Sequence, residues 1–109
     1  MQFSVIERFI KYTTFDTRAK MDAEEFPSTP GQLVLARALV EELRSLGMSE
    51  IDLDENGYLM ATLPATTKKT APTIGFIAHL DTSYEMAGAN VKAQFVDYQG
   101  GDIVLNLSL

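Results

Sequence analysis

Chemistry-bearing residues converge on one short stretch. His79 is the only histidine among the 109 residues, and Asp81 lies two positions further on. In an extended segment, side chains at i and i+2 point the same way, which sets the imidazole beside the carboxylate. A histidine that binds a metal is held in one tautomer by a group accepting its other ring N–H. A carboxylate at this spacing can do that, fix the ring's angle and raise its basicity. The same residues also fit a plainer reading, a histidine hydrogen-bonded at a strand end with Asp81 capping a turn. His-x-Asp recurs by chance, so spacing alone leaves both readings open.

Other reactive side chains have simpler explanations. Ser28 and Thr29 carry hydroxyls, but no second histidine offers a base. Glu41 and Glu42 are adjacent on a helical pattern and read as solvated surface, and Glu24-Glu25 is a second adjacent pair of carboxylates. Asp52 and Asp54 alternate with Ile51 and Leu53, which predicts the wet face of a strand. Gly100-Gly101 reads as a turn, because no helix pattern follows it as a nucleotide-binding loop would require. Lys68-Lys69 reads as solubilising loop charge. With no cysteine, neither a disulfide nor a thiolate metal site can form.

The elements that would position His79 can be read from periodicity. Val5, Ile6, Phe9, Ile10 and Thr13 recur at steps of three and four, which predicts an amphipathic helix over residues 3–13. Residues 14–27 read as an exposed connection. Thr29, Pro30 and Gln32 then form a helix-start signature, with Thr29 and Gln32 spaced as a capping box. The helix carries Leu35, Ala36, Leu39, Val40, Leu43 and Leu46 on one face and should stop at Gly47. Residues 51–53 and 58–63 predict a hairpin closed by Asn56-Gly57, followed by a surface loop over 64–72. Residues 73–78 form a continuous apolar run that predicts a strand buried on both faces, with His79 at its carboxyl end, where open α/β sheets build their sites. Residues 83–90 read as loop, and 91–96 and 103–107 as two further strands. This order predicts an α/β fold, a layered helix-sheet-helix arrangement.

Composition narrows the function classes. The hydrophobic fraction is 46% and the charged fraction 22%, which allows one small domain with its own core. The formal net charge is −6, which disfavours nucleic-acid backbones as partners. Glu7 and Arg8 interrupt the apolar stretch a signal peptide would need, and no run reaches the ~18 apolar residues of a membrane span. The expectation is a cytoplasmic protein with neither membrane nor nucleic-acid partners.

A family resemblance adds what spacing cannot. Ile74-Gly75-Phe76-Ile77-Ala78-His79-Leu80-Asp81-Thr82-Ser83 closely resembles the first metal motif of the co-catalytic zinc metallopeptidases. That family holds tripeptide aminopeptidases, dipeptidases, carboxypeptidases and aminoacylases. Residues 6–9, 14–17, 27–32, 57–65 and 98–103 are similar to further family segments in the same order. The co-linear set, covering essentially the whole chain, most resembles the tripeptide aminopeptidases. The resemblance implies that His79 is a ligand to one of two zinc ions. It places Asp81 among the catalytic residues as the carboxylate that steers the imidazole rather than binding metal. The family's bridging aspartate, its Glu-Glu pair, a further acidic ligand and a second histidine lie downstream in its members.

Residues 1–109 are therefore expected to form the N-terminal portion of a single metallopeptidase catalytic domain, with no second domain. The complete enzyme would release the N-terminal residue of tripeptides, and this chain alone is expected to be inactive. The competing expectation is a non-catalytic module whose exposed strand edges drive homo-oligomerisation or pairing with a partner.

Overall fold

The structure, a computed structural model, describes residues 4–104. Helix α1 (Val5–Tyr12) starts at Ser4 with a reciprocal cap. The Ser4 hydroxyl accepts from the Glu7 backbone N–H at 3.2 Å, and the Ser4 N–H donates to the Glu7 carboxylate at 2.6 Å. Ser4 bonds to the carboxylate, its backbone N–H foremost and its side chain second, hold the Glu7 carboxyl below its ordinary range. The amphipathic pattern of residues 3–13 does produce a helix, but none of its residues is buried. Val5, Ile6 and Phe9 are all exposed.

Helix α2 (Pro30–Ser45) is the packing centre, and the buried hydrophobic residues Leu35 and Ala36 both lie on it. It ends with Gly47 at φ 78°, where the Gly47 N–H donates to the Arg44 carbonyl and the Met48 N–H to the Leu43 carbonyl. This pair of bonds satisfies two carbonyls left free by the last turn, and a residue with a Cβ would adopt that φ only at a cost. The stop at Gly47 therefore matches the sequence expectation.

The start of α2 does not. Thr29 is the N-cap, but its side chain makes no cap bond. Its hydroxyl donates instead to the Arg18 carbonyl at 2.9 Å, while the Gln32 amide donates to the Ser28 hydroxyl at 3.0 Å and the Thr17 carbonyl at 3.4 Å. Pro30 has no N–H to satisfy, so the first turn needs fewer caps. The predicted capping box is thus replaced by tethers to the preceding connection.

Strands β1 (Ser49–Leu53) and β2 (Leu59–Thr62) pair antiparallel, with Leu53 opposite Leu59 and Asp52 opposite Met60. The register shifts between Ser49 and Asp52, where Glu50 adopts φ 50°. In the turn, the Asp54 carboxylate accepts from the N–H groups of Asn56 and Tyr58 at 3.0 and 2.8 Å, and Gly57 has φ 88°. Asp54 is therefore a turn residue rather than part of a wet strand face. Helix α2 packs on this hairpin, giving a small α/β unit.

The strands expected over 73–78, 91–96 and 103–104 do not form; residues 105–107 of the last lie outside the described residues. Ile74, Phe76 and Ile77 are 74, 94 and 101% exposed. A central strand needs hydrogen-bonding neighbours at its edges and packed layers on its faces. The β1–β2 hairpin does not extend to this run, and no other described residues pair with it. No helix among the described residues is long and apolar enough to cross a membrane.

Candidate functional site

The chain brings His79 and Asp81 together as their spacing predicts. The imidazole Nδ1 lies 2.8 Å from the Asp81 carbonyl oxygen and 2.9 Å from its Oδ1. Both atoms are acceptors, so Nδ1 carries a proton, and the tautomer this selects in a neutral imidazole has its lone pair at Nε2. The His79 side chain is 83% exposed and that of Asp81 46%. The ring is therefore open to an incoming group and is not packed in hydrocarbon.

Thr82, the next residue along the chain, is anchored on both sides of its peptide unit. Its N–H donates to the Thr17 carbonyl at 3.1 Å, and the Ala19 N–H donates to its carbonyl at 2.9 Å. These two bonds form a parallel bridge centred on Arg18 and Thr82. The 16–18 segment in turn lies hard against α2. A Cβ built on Gly31 would stand 1.9 Å from the Asp16 carbonyl oxygen, and one on Gly88 would stand 2.5 Å from the Asp16 carboxylate. Beside this contact is a cavity of about 240 Å³ lined by Asp16, Arg18, Thr29, Pro30 and Gly31.

A catalytic zinc takes three protein ligands and an open position. The described residues hold no group of three or more histidine, cysteine or acidic side chains placed to bind a metal. The donor set fits one ligand position and its orienting carboxylate, and no more. The other reactive candidates are otherwise engaged. The Ser28 hydroxyl accepts from the Lys20 N–H and the Gln32 amide, and that of Thr29 is committed to Arg18. Glu24, Glu25, Asp52, Lys68 and Lys69 are exposed. Gly100 and Gly101 adopt φ 103° and 85°, as a turn requires.

One residue departs from its sequence reading. Glu42 is not solvated surface but a buried carboxylate, with its side chain 7% exposed. It accepts from Arg8 Nε at 2.5 Å, the Tyr12 hydroxyl at 2.8 Å and Lys11 Nζ at 3.2 Å, and so fastens α1 to α2. A signal exists in the sequence: Glu42 stands seven positions after Leu35, on the same helical stripe. Burial alone would raise this carboxyl, but the bonds from Tyr12, Arg8 and Lys11 outweigh it and hold it below its ordinary value of 4.5. Burial first, then the bond to Glu42, pushes the Tyr12 phenol up to about 12.

A carboxyl held low adds stability that is lost as pH falls through its folded value. A phenol held high adds stability that is lost as pH rises through its own. Attachment of α1 should thus be constant near neutrality, fail in acid below 4.5, and fail in alkali between 10 and about 12. Backbone amide signals of α1 tracked through both titrations check this. Glu42→Gln should remove the part of the acid step that reports the α1–α2 contact, leaving only the fraying of the Ser4–Glu7 cap at the first turn. An undiminished step at Tyr12 and its neighbours would show that Glu42 does not fasten the helix.

No family model matches the chain. A protein named peptidase T from Parabacteroides distasonis is 60% identical over 103 residues, covering 94% of this chain and 25% of its own length. Peptidase T proteins from a Geobacillus strain and from Brevibacillus brevis are 56% and 54% identical, each covering 100% of this chain and 27% of its own length. The chain spans about a quarter of the length of the curated relatives it matches.

Proposed function

From the premise that this chain is homologous along essentially its whole length to part of peptidase T, we propose that it forms the N-terminal portion of the catalytic domain of a zinc-dependent tripeptide aminopeptidase. The observation that carries the reading is the His79–Asp81 geometry, with Nδ1–H committed to Asp81 and the imidazole side chain largely exposed. His79 offers Nε2 as one metal ligand. Asp81 acts through His79, holding the tautomer and the ring angle. Zinc, when bound, would supply Lewis acidity to the scissile carbonyl and to a water molecule.

The remaining ligands and the general base belong to the other three quarters of such an enzyme, so this chain alone should not hydrolyse tripeptides. The exposed apolar run at Ile74, Phe76 and Ile77 suits a strand of a larger sheet in a layered helix-sheet-helix domain. In a full-length peptidase T carrying this segment, Asp81→Asn keeps the side chain's size but removes its charge. It should lower kcat/KM for a tripeptide by ~10–100-fold, the usual loss for a partner of a metal-bound histidine. An unchanged kcat/KM at full metal loading would sink the assignment of Asp81.

A further inference from the structure

Two buried polar side chains have no part in the chemistry proposed above. Thr17 is 3% exposed and Gln32 7%, the latter in the first turn of α2. Buried amides and hydroxyls persist where their bonds fix something. The Thr17 carbonyl is shared: it accepts from the Gln32 amide at 3.4 Å and from the Thr82 N–H at 3.1 Å. Next to it, the Arg18 carbonyl accepts from the Thr29 hydroxyl, and the Ala19 N–H donates to the Thr82 carbonyl. A continuous chain of bonds therefore runs from the start of α2, through residues 17–19, to the residue immediately after Asp81. Gly31 and Gly88 bring backbone close enough to Asp16 to leave that segment little room to shift.

We infer that Gln32 is a positioning residue for the candidate site: it braces the Thr17–Ala19 segment, which holds Thr82 and thereby sets the Asp81 carboxylate against His79. The inference rests on the functional reading only for the use made of the pair; the brace itself is a property of this chain. Without it, the Thr29–Arg18 bond alone would tie residues 17–19, and through them Thr82, to the start of α2. The Asp81 acceptors would then drift from Nδ1 and the ring would sample both tautomers.

The test uses this chain with Gln32→Met, which keeps length and removes both donors, and separately with Thr29→Val. The first readout is hydrogen exchange at the Thr82 and Ala19 amides, with the Asp54 and Met48 amides as controls in the hairpin turn and helix end. The second is the ring nitrogen shifts of His79, recorded at mildly alkaline pH, where imidazoles in general are neutral. Both variants should speed exchange at Thr82 and Ala19 by roughly tenfold or more, leave the controls unchanged, and move the ring from one tautomer towards a mixture. A purely structural role for Gln32 would move the controls and leave the tautomer alone. Should Gln32→Met unfold the chain, Thr29→Val decides by the same criteria. Unchanged Thr82 exchange, or an unchanged tautomer, overturns the inference. Neither readout involves peptide hydrolysis, so the brace can fail while the peptidase reading stands, and the reverse.

Discussion

His79→Ala in a full-length peptidase T carrying this segment is expected to lower tripeptide kcat/KM by at least ~100-fold, beyond the loss from removing a partner carboxylate. The reason is that this segment offers no substitute. His79 is the only histidine, and the chain has no cysteine. Among the described residues no group of three or more histidine, cysteine or acidic side chains is placed to hold a metal. The exposed ring makes no packing contribution that its loss would forfeit, so stability should change little. Bound zinc measured beside kcat/KM separates the causes: one ion should be lost or weakened while the protein remains folded. Activity within a few-fold of the parent would remove His79 from the metal site and return the motif to its plainer reading.

The second large effect concerns stability. Alanine in place of glycine near a helix start ordinarily gains about 1 kcal/mol from backbone entropy. At Gly31 the sign should reverse. A Cβ there would stand 1.9 Å from the Asp16 carbonyl oxygen and 3.1 Å from its carbon, both backbone atoms with no rotamer to yield. Relief requires moving the 16–18 segment away from α2 by more than an ångström. That breaks tethers from Gln32 and Thr29, and the net loss should be about 2–4 kcal/mol. Urea unfolding reads it directly. A midpoint equal to or above the parent's would mean that the segment is not seated as described.

Sequence signals agree with the structure mainly where the deciding interactions are local, Asp54 in the hairpin turn being the exception. The α2 stripe, its stop at Gly47 and the hairpin around Asn56-Gly57 depend on neighbours within a few residues, and all three are present. The two-residue spacing of His79 and Asp81 puts their contact within reach, while the loop that carries it is tied down by residues far along the chain. The departures depend on distant partners. Thr29 and Gln32 have capping-box spacing, yet their side-chain bonds go to residues 17, 18 and 28. Glu42 resembles any surface glutamate until α1 supplies Arg8, Lys11 and Tyr12. The run at 73–78 has strand composition, but composition cannot supply the neighbouring strands.

The parallel bridge between residues 17–19 and Thr82 also dictates an order of assembly. Helix α2 and its hairpin close through short loops, whereas the bridge joins segments far apart along the chain. Closing a long loop costs more entropy before any contact repays it. The helix-hairpin unit should therefore form first, with the geometry around the lone imidazole expected among the last features to mature.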